Sequence, residues 1–245
     1  MGITHSVTDT FALGGHFDFN FANYIADVMD VDSKSTSFAL GLHSQYHIAP
    51  KWYINGQITG AITKTNSFYK IKDVSPMNAQ SSYNSESLFF SLHSGYAYNL
   101  TNTLSLSPEI GVSYLSMHTA NYDINWKGAF INSYDLSYDD NYYNAIYGNV
   151  ALHLQNKLTL QSNADISLLA SFGLRQKLNV DTMKIQLRTL NNNYTTYSTE
   201  DISTWNANAG FTYNKNNFSL SLNYNGSYSI KQNTHGGKLM IMFTF

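Results

Sequence analysis

The sequence contains no cysteine and only 3 prolines, and 12% of its 245 residues are charged. Without thiols there are no disulfides and no thiolate metal centres. The absence also fits an envelope compartment, where an exposed free thiol risks oxidation. Soluble domains carry roughly a quarter charged residues, so this chain is no ordinary cytosolic protein. Long hydrophobic runs are missing too. The longest strictly apolar stretch is Leu239-Met240-Ile241-Met242-Phe243, far short of the ~20 residues that a membrane helix takes. Neither charge sign dominates: 14 Lys+Arg face 16 Asp+Glu, a formal net charge of −2. That leaves no basic footprint for nucleic acid and not the strong net charge of a disordered segment.

What is abundant is aromatic: 19 Tyr, 14 Phe and 3 Trp, spread along the whole chain. Low charge, a mean hydropathy of −0.28 and many aromatics together fit a transmembrane β-barrel. Its strands alternate lipid-facing apolar with lumen-facing polar residues and so average to mild hydrophilicity. Period-two patterning is the test of that class.

The pattern is there. From Phe11 to Phe21 the odd positions are Phe11, Leu13, Gly15, Phe17, Phe19 and Phe21, with His16, Asp18 and Asn20 between them, which predicts a strand. Phe38 to Ile48 carries its apolar residues on even numbers, Ala49-Pro50-Lys51 turns, and Trp52, Ile54, Ile58 and Ile62 continue on even numbers, completing a hairpin. The unit recurs as Leu88–Leu100 with Leu104–Tyr114, as Ile146–Leu154 with Leu158–Phe172, and as Trp205–Tyr213 with Phe218–Ile230. Leu239, Ile241, Phe243 and Phe245 close the chain at the same period. This makes about ten strands of roughly 10 to 15 residues, where ~9 to 11 are needed to cross a membrane core. The expected fold class is therefore all-β, an antiparallel up-and-down transmembrane barrel.

The connections alternate short and long. Turns of a few residues are expected near 50, 102, 156 and 215, and long connections at 64–86, 119–141 and 174–201. Short turns on one rim and long loops on the other are the mark of an outer-membrane barrel. The segments 122–126 and 183–187 themselves alternate and are expected to extend hairpins beyond the membrane. Tyr24, Tyr46, Trp52, Tyr98, Tyr114, Tyr143, Tyr213 and Tyr228 fall near strand ends, where interfacial girdles sit.

Two stretches resemble a known family, the C-terminal β-domain of type V autotransporters. One is Leu104-Ser-Leu-Ser-Pro108-Glu109-Ile-Gly-Val-Ser-Tyr114; the other is the ending, Phe218 to Gly226 and then Gly236-Gly237 to Phe245. The resemblance implies one domain over 1–245 with about ten strands of a twelve-strand family barrel. Residues 1–9 correspond to the remnant of a preceding strand and turn, and 10–245 to the ten strands. The family's luminal helix and first strand have no counterpart, and Met1 to Thr10 has no signal-peptide pattern. The expectation is thus a C-terminal portion of a longer precursor, whose edges stay open unless the last strand closes on Phe11–Phe21.

The terminal Phe245, with Phe243, Ile241 and Leu239, looks like the outer-membrane signature read by the barrel assembly machinery through strand addition. Polar-face candidates are Asp18, His43, Glu109, His153 and Asp165, together with His16, His47 and His93. These are expected to line a hydrated lumen. The resemblance implies that Glu109 and Asp165 belong to the charged luminal set that contacts the family's helix and translocating segment. His43 and His47 lie ~13 Å apart along one strand and cannot share a metal. No metal, no cofactor and no enzymatic motif is expected: no Gly-x-Ser-x-Gly, phosphate loop or zinc pattern occurs. The expected role is an outer-membrane translocator and anchor, monomeric, embedded in lipid, for an upstream passenger. The alternative is a complete ten-stranded adhesin-like protein that binds ligands through its long loops.

Overall fold

A strand that is apolar on one side and polar on the other can be solvated by lipid on the first and by water on the second, provided every backbone group is paired within the sheet. The computed structural model describes residues 2–26, 31–71, 77–127, 136–160, 164–179, 183–188, 193–198, 202–230 and 233–243. Its first strands are β1 (Gly2–Ser6), β2 (Phe11–Ala26), β3 (Val31–Ala49), β4 (Trp52–Ile71) and β5 (Met77–Tyr96). A two-residue β6 (Tyr98–Asn99), β7 (Leu104–Thr119), β8 (Tyr122–Lys127) and β9 (Leu136–Tyr138) follow. Then come β10 (Asn141–Thr159), β11 (Ala164–Lys177), β12 (Met183–Arg188), β13 (Asn193–Ser198), β14 (Ser203–Lys215), β15 (Phe218–Tyr228) and β16 (Asn233–Phe243).

The main sheet runs β1-β2-β3-β4-β5-β7-β10-β11-β14-β15-β16, every neighbour antiparallel. It is an up-and-down meander, curled into a half-barrel, with ten long strands and the short β1. The smaller strands β8, β9, β12 and β13 pair with one another at the long-loop end and join the main sheet through β5.

Which face is concave follows from contacts that skip a strand. Neighbouring strands lie about 4.8 Å apart, so side chains two strands apart can meet only on the inside of a curve. Thr4 of β1 reaches His43 of β3 (2.8 Å), His16 of β2 comes to 3.4 Å from Thr59 of β4, and Tyr53 of β4 reaches Glu109 of β7 (3.2 Å). All six residues lie on the polar face, so the polar face is concave. On the convex face the apolar residues stand exposed, among them Phe19, Phe21, Phe38, Leu40, Leu42, Ile62, Leu88 and Ile110. In water such a surface is untenable; in lipid it is ordinary.

The short turns are locally encoded. Thr8 and Thr101 each accept a hydrogen bond from the backbone N–H three residues on, at 3.0 Å, so Thr8-Asp9-Thr10-Phe11 and Thr101-Asn102-Thr103-Leu104 make the same turn at the same rim. Between β14 and β15, Asn216 adopts φ 51°, a left-handed conformation that Asn tolerates better than most residues.

One expectation needs correction. The stretch 64–86 is strand on both sides, β4 running to Ile71 and β5 starting at Met77. Period two gives no cue there because both faces are polar, as in Lys64-Thr65-Asn66-Ser67. Closure of the last strand on Phe11–Phe21 does not occur among the described residues. Instead, β1 occupies that edge of β2, from Ser6↔Ala12 to Gly2↔His16, and β16 pairs only with β15.

Candidate functional site: the concave wall

The concave wall is built mostly from small uncharged polar residues. Ser33–Ser67, Ser35–Thr65 and Ser37–Thr63 hydrogen-bond across β3 and β4 at 2.7 to 2.9 Å, and Ser85–Thr119 across β5 and β7 at 3.1 Å. Near the short-turn rim, rings replace them, and four of these rings lie opposite a glycine. Tyr53 pairs with Gly95, His93 with Gly111, His43 with Gly14 and His16 with Gly41. A Cβ at Gly111 would stand 2.6 Å from the His93 ring and 2.7 Å from the Leu92 carbonyl oxygen. At Gly95 it would collide with the Tyr53 ring. The missing side chain lets Tyr53 lie flat across β5 and reach β7, as it lets His43 cross β2 and His16 cross β3.

At the centre of this arrangement is Glu109. Its Oε2 accepts a hydrogen bond from the Tyr53 hydroxyl at 3.2 Å, and its Oε1 lies 3.0 Å from His93 Nδ1 and 3.7 Å from His153 Nε2. The carboxylate is 13% exposed. Four strands, β4, β5, β7 and β10, thus converge on one acid. A second group joins His16, 3.7 Å from Asp18, to His43 at a ring separation of 5.8 Å. Asp165 stands apart, exposed at the start of β11. Among the described residues, no three His, Asp or Glu side chains are placed to hold a metal ion. Among the described residues, the contacts of the wall are hydrogen bonds and His–carboxylate pairs.

Tyr53, which organises this centre, carries no warning in the sequence beyond its parity. A correction concerns Tyr143: it is 5% exposed on the concave side, packed with Ala145, Tyr147, Leu115 and Met117, and does not belong to a lipid girdle. Its odd number on β10 puts it there, opposite to Ile146 and Val150. Tyr46, Trp52, Tyr98 and Tyr114 do stand exposed on the other side. The side chain of Tyr24 lies outside the described residues.

At the long-loop end, tyrosines stack into a closed layer. Tyr83 and Tyr122 rings lie 4.5 Å apart, and Tyr122 and Tyr138 4.5 Å apart at 5°. Convex positions at this height are polar (Thr36, Lys64, Asn84), which sets the layer beyond the apolar band. Burial pushes the hydroxyls of Tyr83, Tyr122 and Tyr138 up from their ordinary range, and neighbouring tyrosines add to it. Arg188 of β12 ties the layer to Asp139 next to β9, with Nη2 and Nε donating to Oδ2 at 2.7 and 3.0 Å.

Of the terminal residues, Leu239 and Ile241 are exposed in β16, and Phe243 pairs in register with Phe218. Phe245 lies outside the described residues.

Ten long strands with a lipid-compatible convex face and a hydrated concave one define a segment of outer-membrane barrel. The autotransporter beta-domain family matches residues 1–225, and the chain belongs to that family. Among solved structures, the fold is similar to the translocator domain of autotransporter NalP from Neisseria meningitidis. That likeness has a TM-score of 0.79 and 16% identity, covering 100% of this chain and 79% of the other. The beta domain of the Bordetella autotransporter BrkA is also similar, with a TM-score of 0.66 and 13% identity over 100% of this chain and 87% of the other. No curated protein matches the chain. Family membership implies the outer membrane of a Gram-negative bacterium and a translocator-type role, with the short-turn rim periplasmic and the long-loop end extracellular.

Proposed function

We propose that the chain anchors an upstream passenger in the outer membrane and supports its export to the cell surface. The observation that carries this reading is the division of the sheet: a convex face dressed for lipid and a concave face of hydroxyls, amides and ring–glycine pairs that stays wet. A polypeptide held against such a wall meets few apolar surfaces to stick to. The domain acts as a monomer and performs no covalent chemistry in this reading.

Assembly into the membrane runs through Leu239, Ile241, Phe243 and Phe245. The barrel assembly machinery recognises them by adding β16 as a strand to its own edge, with backbone bonds supplying affinity and alternate side chains specificity. The unpaired side of β16 among the described residues supports this. Asp18, His43, Glu109, His153 and Asp165 line the hydrated side.

The test is surface display. The chain is expressed in a Gram-negative host behind a signal peptide and a tagged passenger, and intact cells are treated with protease. Loss of the tag from intact cells, with the β-domain protected in the membrane fraction, is the expected result. A tag shielded in the periplasm beside a correctly inserted β-domain contradicts export. Deleting Phe245 lowers the inserted fraction; unchanged insertion removes the assembly role of the terminus.

A further inference from the structure

Two cations on the concave face of β11 have no place in the reading above. The guanidinium of Arg175 lies 4.7 Å over the Tyr147 ring, and the ammonium of Lys177 lies 4.7 Å over the Tyr143 ring while donating to its hydroxyl at 2.9 Å. Neither ring is free to swing aside. Tyr147 is 3% and Tyr143 5% exposed, wedged between Ala145, Leu115 and Met117. The rings therefore hold two positive head groups side by side on one wall.

Arg175 is incompletely satisfied. Its Nε is buried without a hydrogen-bond partner, and it forms no ion pair with any carboxylate among the described residues. Of the acids of the concave wall, Asp18 lies beside His16, Glu109 is held by Tyr53, His93 and His153, and Asp165 stands at the opposite end of β11. A guanidinium cannot discharge itself by losing its proton. A buried donor left unpaired is costly, and a charge taken out of bulk water needs a counter-charge. The Tyr147 ring holds the guanidinium in place, and the N–H edge of a guanidinium is the edge that receives planar oxyanions in paired hydrogen bonds.

We infer that Arg175, clamped on Tyr147 with Lys177 beside it, forms an oxyanion-binding site on the concave wall, taking a carboxylate or a phosphate group. Arg175 supplies the directional bonds, and Lys177, already bonded to Tyr143, adds positive potential beside it. The chemistry stands independently of passenger export; only a polypeptide carboxylate as its source rests on that reading.

The experiment titrates the full chain, extracted from outer membranes in detergent, with inorganic phosphate and separately with a short Gly/Ser peptide bearing two glutamates. Calorimetry at low salt gives the affinity, and heat-modifiable migration confirms that each variant is folded. At least one probe binds the unaltered chain, R175Q weakens it roughly tenfold or more, the scale of one charge-assisted hydrogen bond, and R175K weakens it less. R175K keeps the charge and the stem, so it reports on the site even where R175Q misfolds. A glutamate peptide that binds better than phosphate, and better than its glutamine counterpart, assigns a polypeptide carboxylate. Phosphate binding with no preference for the peptide assigns a free oxyanion. No binding of either probe, or equal binding by the unaltered chain and R175K together with R175Q where it folds, overturns the site. A chain that binds the anion and fails the display assay keeps this site and loses the export reading.

Discussion

The hydroxyl of Tyr53 on β4 donates a hydrogen bond to the carboxylate of Glu109 on β7 across the intervening strand β5, at 3.2 Å. The bridge exists because Gly95, the residue of β5 directly opposite Tyr53, has no side chain to hold the ring away. It fastens β4 to β7 through side chains, in addition to the backbone ladders that join each adjacent pair.

Removing the carboxylate should therefore loosen the wall as a unit. Glu109→Ala leaves Tyr53 and His93 without their acceptor in a mostly buried setting and is expected to cost about 3 to 5 kcal/mol, the range for breaking a buried pair. Urea unfolding of the folded chain in lipid vesicles measures it. A cost under about 0.5 kcal/mol, typical of an exposed surface change, would mean the cluster is water-filled and slack.

Gly111→Ala attacks the same centre from the backbone side. A methyl there meets the Leu92 carbonyl oxygen and the His93 ring together, and the carbonyl has nowhere to retreat without opening the β5–β7 ladder. The expected loss is about 1 to 3 kcal/mol, as for other overpacked sites. Gly60→Ala serves as the control, since an added Cβ there meets only an atom at 4.0 Å. Equal effects of the two would contradict the ring–glycine account.

Alkaline pH should open the extracellular tyrosine layer. The hydroxyls of Tyr122, Tyr138 and Tyr83 are held above their ordinary value near 10, chiefly by burial. The folded layer thus holds its protons more tightly than the unfolded chain does. Its contribution to stability is complete below about pH 10 and is lost as the pH climbs through the raised folded values. Tyrosinate absorbance should show a subset titrating later than the rest, with loop proteolysis accelerating over the same range. All 19 tyrosines titrating together near 10 would contradict the layer.

Arg188→Ala should have a local effect. The pair with Asp139 is well formed but Arg188 is largely exposed, so its removal costs at most about 1 kcal/mol. Protease cleavage in the β12–β13 hairpin should quicken while heat-modifiable migration stays unchanged. A change in the migration of the whole domain would mean that the loops and wall fold as one unit.

Much of the wall was legible because the two solvents of a barrel imprint period two on each strand. Phe11–Phe21 and Phe38–Ile48 show it without ambiguity. Legibility stopped where both faces are wet, as along Lys64–Ser67 and Ser81–Asn84, since nothing there distinguishes a strand from a polar loop. It also stopped where function depends on register. That Tyr53 meets Glu109, or that Arg175 lies over Tyr147, follows from which residues stand opposite across several strands, a matter of turn geometry and not of local pattern. Tyr143 is ambiguous in sequence for a related reason: tyrosine suits either face of a strand, and only parity against Ile146 distinguishes them.

The absence of cysteine permits the most direct test of the central claim, that one face of this sheet meets lipid and the other water. Single cysteines introduced at Phe38, Leu40 and Leu42 and at Ser37, Ala39 and His43 of β3 are spin-labelled and examined in lipid vesicles for collisions with oxygen and with a water-soluble nickel chelate. The even positions should be oxygen-accessible and shielded from the chelate, and the odd positions the reverse. Chelate access along both sets would contradict a membrane-embedded wall.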